Sequence, residues 1–173
     1  MSFFIQKYDS PLGPMTMASD GNALTGLWFD GQKYGRAGIP ENAEEKELPV
    51  FADTRAWLDA YFSGRMPEQT PQLSISGSGF RKLVSEILLS IPCGSTMTYK
   101  QIAALCAARL GKKSMSAQAV GGAVGRNTIS LIIPCHRVVG TDGSLTGYAG
   151  GLERKKWLLE FEKSHVSGPD GSL

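Results

Sequence analysis

The stretch Ile129-Ser130-Leu131-Ile132-Ile133-Pro134-Cys135-His136-Arg137-Val138 joins an apolar run directly to a cysteine and a histidine. A short apolar run of this kind is consistent with a fully buried strand, so we predict a buried strand over residues 129–133. Cysteine attacks as the thiolate, and neighbouring cationic or hydrogen-bonding groups raise the thiolate fraction. The order of the residues therefore predicts a candidate nucleophile at Cys135, beside a candidate base at His136.

A structural role for the same cysteine is the alternative. Free cysteine is among the most buried residue types, and a histidine can follow it in the chain without acting on it. Adjacent side chains on an extended strand point to opposite faces. Cys135 and His136 can therefore cooperate only if the chain turns there or if a water molecule bridges them.

Three helices are predicted between residue 80 and this stretch. Apolar residues over 80–88 recur at helical spacing. Thr98-Tyr99-Lys100-Gln101 has the form of a capping box, and it opens a second helix that Gly111 ends. Ser116 caps a third helix of small residues over 117–125. Two helices joined by a short turn predict a helix-turn-helix.

A glycine-rich loop and a last helix are predicted after the stretch. Residues 140–151 contain five glycines, which is typical of a loop. Residues 152–162 have the pattern of a helix. Residues 165–173 are expected to be a frayed, disordered tail.

The first seventy-nine residues have a different pattern. Alternating apolar segments over 3–7, 15–18 and 24–29, with turn signals between them, predict a β-meander. Residues 31–49 are polar and are expected to form a loop. The remaining predicted elements of this half are a helix over 53–62, a linker rich in proline and glycine over 67–79, and a short strand within it at 73–76.

The predicted fold class is α+β. We expect an N-terminal domain over 1–76, made of an antiparallel sheet with a helix. A mostly helical domain containing the helix-turn-helix is expected over 77–164, followed by the tail over 165–173.

Charge is distributed unevenly along the chain. The net charge is +2, but residues 1–79 carry six basic and ten acidic side chains, whereas residues 80–165 carry twelve basic and five acidic ones. A basic C-terminal half can face a polyanion such as a nucleic acid. Ordinary solvated charge is the alternative explanation.

Several classes of protein are disfavoured by composition. There is no apolar run of about 18 residues, and charges at Lys7 and Asp9 follow the start too soon for a signal peptide. Three cysteines without CxxC spacing favour free thiols in a reducing, cytoplasmic setting. The cysteines and the two histidines show no metal-ligand spacing, so we expect neither a metal nor a membrane partner.

A wider set of motifs occurs in a fixed order around Cys135, and it resembles the O6-alkylguanine-DNA alkyltransferase family, also called methylated-DNA–protein-cysteine methyltransferases. The resemblance covers nearly the whole chain. Its motifs are Asn127, 129–133, Pro134–Val139, Thr146–Gly151 and Lys155–Glu162, with Ser10–Pro14 and Gly26–Phe29 in the N-terminal part.

The resemblance implies a mechanism. Cys135 would accept an alkyl group from the O6 atom of guanine, in a direct and single-turnover repair reaction that needs no cofactor. His136 would generate the thiolate through a water molecule, and Glu162 would orient His136 in the manner of a catalytic triad. Tyr99 would donate a proton to the leaving guanine. The expected partner is double-stranded DNA containing O6-alkylguanine, bound by a monomer.

The resemblance also implies a pocket for the flipped base. Tyr148 would pack beside the base, the backbone of Ala149 would reach the guanine oxygen, and the Cys135 and Val138 carbonyls would accept from the exocyclic amine. Asn127 would act as a hinge that bonds backbone near Cys135, and Lys155 would lie near the pocket.

The helix over 117–125 would enter the minor groove and flip the base. Two departures from the family pattern are present: Gln118 stands where the family commonly has an arginine, and Ala149 stands where many relatives have serine. Extra sequence over 110–115 also enlarges the turn before the helix. The expected DNA contacts are Gln118, Ala119, Gly122, Arg126 and Arg137, with Lys112 and Lys113 nearby.

Two other functions are alternatives for a chain with these motifs. Non-catalytic binders of alkylated DNA in this family lack the acceptor cysteine, whereas this chain has Cys135. A Cys-His hydrolase would need an oxyanion hole and multiple turnovers, and no motif in the chain indicates one.

Overall fold

The N-terminal part is a sheet built on the predicted meander. The computed structural model describes residues 2–33, 35–36 and 38–165. Each strand pairs antiparallel with the next one along the chain. The three strands are β1 (Phe4–Ser10), β2 (Gly13–Ser19) and β3 (Leu24–Phe29).

The predicted loop over 31–49 contains one further strand. β4 (Glu44–Glu45) pairs parallel with β1, so the sheet order is β3-β2-β1-β4. Helix α1 (Pro49–Phe62) then begins four residues before the predicted start at Asp53. The early start is explained by Pro49, because the fixed φ of proline suits the first turn of a helix.

The predicted strand over 73–76 is reduced to a single bridge. Leu73 pairs with Leu24 alone. The Leu24 amide donates to the Gln72 carbonyl at 2.8 Å, and the Ser74 amide donates to the Leu24 carbonyl at 2.9 Å. The linker therefore touches the end of β3 for one residue and then leaves the sheet.

The three predicted helices of the C-terminal part are present, with their predicted caps. The Thr98 hydroxyl and the Gln101 side chain form the capping box, Gly111 ends the helix in the left-handed region with φ 67°, and the Ser116 hydroxyl accepts from the Ala119 amide. Helix α3 packs against both α2 and α4. The bounds are α2 (Gly79–Leu89), α3 (Tyr99–Leu110) and α4 (Ala117–Gly125).

The prediction of a strand over 129–133 is wrong. Ile129 makes one bridge, to Leu27, and Leu131 has a φ of 71°. The Ile132 amide bonds the Ser130 carbonyl at 2.8 Å, which is a turn and not a ladder. The segment is apolar because it is buried, and a short apolar run indicates burial without fixing the backbone geometry.

A turn and a small parallel ladder follow this segment. Cys135–Arg137 form a 3₁₀ turn. A second sheet joins β5 (Met97–Thr98) to β6 (Val138–Val139). Helix α5 (Leu152–His165) then runs three residues beyond its predicted end. Apart from His165, the predicted tail lies outside the described residues.

One apolar core connects the two parts of the chain. Met15 and Leu27 of the sheet and Leu58 of α1 belong to the same cluster as Ile102 of α3 and Leu158 of α5. The observed architecture therefore confirms the α+β class, with an N-terminal sheet domain and a helical C-terminal domain. In the described part of the chain, no helix has the length and apolar character needed to cross a membrane.

Candidate active site

Cys135 and His136 lie in a turn and not on a strand. A 3₁₀ turn has about three residues per turn, so consecutive side chains point about 120° apart and the two groups are not forced to opposite faces. Cys135 is 5% exposed and His136 is fully buried. The backbone therefore meets the geometric condition for cooperation between the thiol and the imidazole.

Asn127 organises the backbone that leads to the thiol. Its Nδ2 donates to the Ile129 carbonyl at 3.2 Å and to the Ile133 carbonyl at 2.9 Å, and its Oδ1 accepts from the Ile129 amide at 3.1 Å. The Cys135 amide also donates to the Ile133 carbonyl, at 2.8 Å. Burial raises the pKa of the Cys135 thiol, whereas a hydrogen bond from Asn127 and the charge of Lys155 act in the opposite direction.

Glu162 and His136 form a buried pair. His136 Nε2 lies 2.6 Å from Glu162 Oε2, and neither side chain is exposed. Burial opposes ionisation of Glu162, but His136 and Arg137 hold its pKa well below the usual range. Because the carboxylate is ionised, Nε2 carries the proton and donates it to Oε2.

His136 is therefore placed to act as a base. Burial lowers its pKa, with Glu162 acting in the opposite direction, so the imidazole is neutral near pH 7. Its Nδ1 atom is buried and has no hydrogen-bond partner among the described residues. With the proton on Nε2, Nδ1 has a lone pair available to accept a proton.

The structure corrects the prediction that Arg137 contacts DNA. Its Nε donates to Glu162 Oε1 at 2.8 Å, its Nη2 donates to Glu162 Oε2 at 3.0 Å, and its Nη1 donates to the Ile91 carbonyl at 2.7 Å. Arg137 is 8% exposed. Its charge compensates a buried carboxylate, since an unpaired buried charge is costly, and the guanidinium is not presented to a phosphate.

Tyr61 and Cys93 also surround Glu162, and sequence reasoning missed both. The Tyr61 hydroxyl donates to Glu162 Oε2 at 2.6 Å. Burial, with a contribution from Glu162, raises the pKa of Cys93 to about 12, so its thiol stays protonated. Tyr61 lies within the helix predicted over 53–62, and no local signal indicated the residue that its hydroxyl contacts.

The glycine-rich loop over 140–151 is held by two side chains of the predicted site. The Thr146 carbonyl accepts from the Tyr99 hydroxyl at 3.2 Å and from Lys155 Nζ at 2.8 Å. Lys155 is fully buried, and burial lowers its pKa to about 8. The ring of Tyr148, in the same loop, lies edge-on to His136 with 6.4 Å between the ring centroids.

The other end of this loop is fastened to the N-terminal domain. Arg154 Nη1 donates to the Gly150 carbonyl at 3.0 Å, and its Nε donates to the Leu12 carbonyl at 3.0 Å. The Lys33 amide donates to the Ala149 carbonyl at 3.3 Å. A Cβ atom on Gly150 would lie 2.7 Å from the Tyr148 ring, so glycine permits this close packing. Val138, the remaining predicted pocket residue, is buried and its amide donates to the Cys135 carbonyl.

Helix α4 has one face in the core and one exposed face. Val120 and Val124 are buried. A Cβ atom on Gly121 would lie 3.8 Å from the Tyr99 ring, whereas a Cβ atom on Gly122 would meet open space. The exposed predicted DNA contacts of this region are Gln118, Ala119, Gly122 and Arg126, and Lys112 and Lys113 are exposed before the helix.

The donor sets of this structure give no indication of a bound metal. Among residues 2–33, 35–36 and 38–165, no group of three or more His, Cys, Asp or Glu side chains is placed to hold an ion.

Comparison with known proteins gives a consistent result for both parts of the chain. The DNA-binding domain of 6-O-methylguanine DNA methyltransferase matches residues 79–164, and the ribonuclease-like domain of the same family matches residues 4–75. A methylated-DNA–protein-cysteine methyltransferase of Mycobacterium leprae is 44% identical over 161 residues, with 91% of each chain covered. The enzyme of the same name from Haemophilus influenzae is 39% identical, with 90% of this chain and 84% of the relative covered.

Solved structures agree with the sequence relatives. The structure of Mycobacterium tuberculosis OGT in complex with DNA matches with a TM-score of 0.81 and 39% identity, over 94% of each chain. The M. tuberculosis O6-methylguanine methyltransferase matches with a TM-score of 0.80, over 95% of this chain and 94% of that one. The chain therefore belongs to the 6-O-methylguanine DNA methyltransferase family.

Proposed function

We propose that this protein repairs alkylated DNA by transferring an alkyl group from the O6 atom of guanine to Cys135. The observation that carries the proposal is the arrangement of the buried thiol in one turn with His136, whose Nε2 is bound to Glu162 and whose Nδ1 is unbonded among the described residues. The names of the relatives, methylated-DNA–protein-cysteine methyltransferases, describe the same reaction.

The proposed reaction is a direct displacement. His136 Nδ1 takes the thiol proton through a water molecule, and Glu162 stabilises the imidazolium that forms. The sulfur forms a bond to the alkyl carbon while the bond from that carbon to O6 breaks, and the electron pair leaves with guanine. Tyr99 supplies a proton to the guanine ring. A thioether is a stable product, so each molecule acts once and no cofactor is consumed.

The free thiol is too enclosed to meet a base directly. Cys135 is 5% exposed, and the Tyr99 hydroxyl donates to the Thr146 carbonyl of the loop. A flipped guanine therefore requires the 140–151 loop to move, so that Tyr148 and the Ala149 amide come to line the pocket. The Cys135 and Val138 carbonyls are proposed to accept from the exocyclic amine, with Asn127 holding the thiol backbone and Lys155 lying beside the pocket.

DNA is proposed to bind to the exposed face of α4, in a helix-turn-helix formed by α3 and α4. Small residues such as Ala119 and Gly122 permit close approach to the minor groove. Basic side chains contribute contacts with phosphates, and the affinity from these contacts depends on salt concentration. Gln118 replaces the usual arginine beside the flipped base. We further propose a cytoplasmic monomer, with domains over 1–76 and 77–164.

The test is the mass of the intact protein after incubation with duplex DNA containing O6-methylguanine. We expect one added methyl group that maps to Cys135, no addition with unmodified DNA, and no addition to Cys135→Ala. Cys106→Ala is the matched control, because it removes another buried thiol and should leave the transfer intact. Binding of the damaged duplex with no mass change would instead identify a non-catalytic binder.

A further inference from the structure

The Glu162 carboxylate accepts hydrogen bonds from both domains. On the C-terminal side, Oε2 lies 2.6 Å from His136 Nε2 and 3.0 Å from Arg137 Nη2, and Oε1 accepts from Arg137 Nε at 2.8 Å. The main-chain amide of Gly94 lies 3.4 Å from Oε1. From the N-terminal domain, the hydroxyl of Tyr61 on α1 donates to Oε2 at 2.6 Å. The oxygen that faces the imidazole is thus also bound by the other domain.

Tyr61 is held in place by aromatic packing, so its hydroxyl has a defined direction. The ring stacks on Trp57 with 5.3 Å between centroids and an interplanar angle of 8°. It lies edge-on to Phe62 at 5.1 Å, and it contacts Phe161 of α5 at 5.8 Å. Tyr61 is 1% exposed. A phenol fixed in this way imposes an orientation on the carboxylate that it contacts.

We propose that Tyr61 is a positioning residue for alkyl transfer: its hydroxyl fixes the Glu162 carboxylate against His136, so that the N-terminal domain takes a direct part in activating Cys135. This inference rests on the proposed function. It assigns to the sheet domain a chemical role in addition to its contribution to the common core.

Loss of the Tyr61 hydroxyl should shift the pH dependence of the transfer rate in a defined direction. A donated hydrogen bond from Tyr61 withdraws electron density from Oε2, so its removal makes the carboxylate more basic and stabilises protonated His136. In the plot of transfer rate against pH, the acidic limb is the range in which His136 must lose its proton to act as a base. This limb then moves to higher pH. Among the described residues, the charged or titratable groups around this imidazole are Arg137 and Cys135 of its own turn, Glu162 and Lys155 of α5, and Tyr148 of the loop. Cys93, before β5, faces Glu162 and Arg137.

The experiment compares three variants of the full chain with the wild type in single-turnover transfer from O6-methylguanine DNA between pH 5.5 and 9. Tyr61→Phe keeps the ring and removes one oxygen. Tyr8→Phe is the matched control, because it deletes a hydroxyl that donates to Asp59 of the same helix at 2.7 Å, on the surface. Trp57→Phe weakens the packing of Tyr61 but keeps its hydroxyl.

We expect Tyr61→Phe to slow transfer about ten- to hundredfold at neutral pH, which is the scale of a hydrogen bond to a charged group, and to move the acidic limb of the pH–rate profile to higher pH. Affinity for the damaged duplex should stay within about twofold of wild type, since Tyr61 is buried. Tyr8→Phe should change neither quantity. Trp57→Phe should lower stability without moving the limb.

A second variant tests the proposal if Tyr61→Phe fails to fold. Incorporation of 3-fluorotyrosine at position 61 keeps the hydroxyl and makes it a stronger donor, so the limb should move to lower pH. A wild-type rate and limb in Tyr61→Phe, or no movement with 3-fluorotyrosine, overturns the positioning role while leaving the proposed function intact. Absence of transfer by the wild-type protein overturns the proposed function itself.

Discussion

Tyr99 and Lys155 donate to one oxygen, the carbonyl of Thr146, at 3.2 and 2.8 Å. This shared acceptor ties α3 and α5 to the loop that carries Tyr148, whose ring lies beside His136. The proposed proton donor for guanine, Tyr99, therefore donates to the loop in this structure. On the proposed mechanism, entry of a flipped base would break this bond and offer Tyr99 a new acceptor.

The first prediction separates the two roles of the Tyr99 hydroxyl. Tyr99→Phe loosens the loop, so iodoacetamide should alkylate Cys135 about two- to tenfold faster, the range expected for one neutral hydrogen bond. Transfer from O6-methylguanine DNA should instead become at least about tenfold slower, because the leaving guanine loses its donor. Both rates are read from the intact mass. Slower reaction with both iodoacetamide and the damaged DNA would contradict the idea that the bond between Tyr99 and Thr146 restricts access to Cys135.

The second prediction concerns pH and Lys155. Burial lowers its pKa to about 8, below the value of about 10.4 expected in the unfolded chain. Between these two pH values the unfolded chain binds more protons, so this lysine's contribution to the free energy of unfolding rises with pH. The gain is at most about 3 kcal/mol.

The measurement is urea unfolding of wild type and Lys155→Met at pH 7 and pH 10. The stability of the wild type relative to Lys155→Met should rise over this interval, and taking the difference cancels the other titrating groups. Lys156→Met, at the exposed neighbouring position, should follow the wild-type profile. A difference that falls with pH would show that Lys155 is not desolvated.

The third prediction concerns the buried carboxylate. Glu162→Gln leaves Arg137 charged and buried without its counterion, which should lower the free energy of unfolding by about 3–5 kcal/mol. It also removes the charge that stabilises protonated His136, and transfer should slow by about 10²–10⁴-fold. Denaturant titration and single-turnover transfer measure the two effects.

Glu86→Gln is the matched control for that experiment. Glu86 pairs with Arg109 at 3.4 Å on the surface, where a salt bridge contributes no more than about 1 kcal/mol. Its transfer rate should equal that of the wild type. Similar losses in both variants would mean that the cost is not specific to the buried pair.

The fourth prediction concerns Asn127. Asn127→Ala removes the donor to the Ile129 and Ile133 carbonyls, and leaving such groups unpaired should cost about 1–3 kcal/mol. The thiolate of Cys135 also loses a hydrogen bond, so the pH midpoint of its reaction with iodoacetamide should move to higher pH. Asn22→Ala, in an exposed turn, should leave stability and midpoint unchanged. An unchanged midpoint would show that Asn127 does not stabilise the thiolate of Cys135 by a hydrogen bond.

The fifth prediction uses the departure at Gln118. Gln118→Arg adds a charge to the exposed first turn of α4 and should tighten DNA binding or speed repair. The slope of log binding constant against log salt concentration should become steeper, by the amount expected for about one added phosphate contact. Gln69→Arg adds the same charge on the exposed surface of the N-terminal domain and should leave the slope unchanged. Unaltered affinity and rate in Gln118→Arg would remove this position from the account of base flipping.

Features of the fold with local chemical causes were predictable from the sequence. The caps at Thr98 and Ser116 and the stop at Gly111 each depend on residues within one turn of the helix end, and all three are present. The strand over 129–133 was not predictable in the same way, because an apolar run reports burial alone. The 3₁₀ turn over Cys135–Arg137, which follows this segment, is what allows the thiol and the imidazole to cooperate.

The candidate site was predictable as a set of residues but not as a network. The resemblance indicated Glu162 as the partner of His136, and the structure places them in contact. Arg137 was expected on the DNA surface from its charge, yet a carboxylate on a distant helix holds it inside. The Thr146 carbonyl is a backbone group, so no side chain marks it in the sequence.

The bond between Tyr61 and Glu162 joins residues 101 positions apart. A chain leaves the ribosome from its N-terminal end at roughly 5–20 residues per second, so Cys135 and His136 emerge before Glu162. Until α5 has been made and docked, the imidazole has no carboxylate and the sulfur has only the reactivity of an ordinary cysteine. On the proposed mechanism, His136 can therefore activate the thiol of Cys135 only after synthesis has passed Glu162.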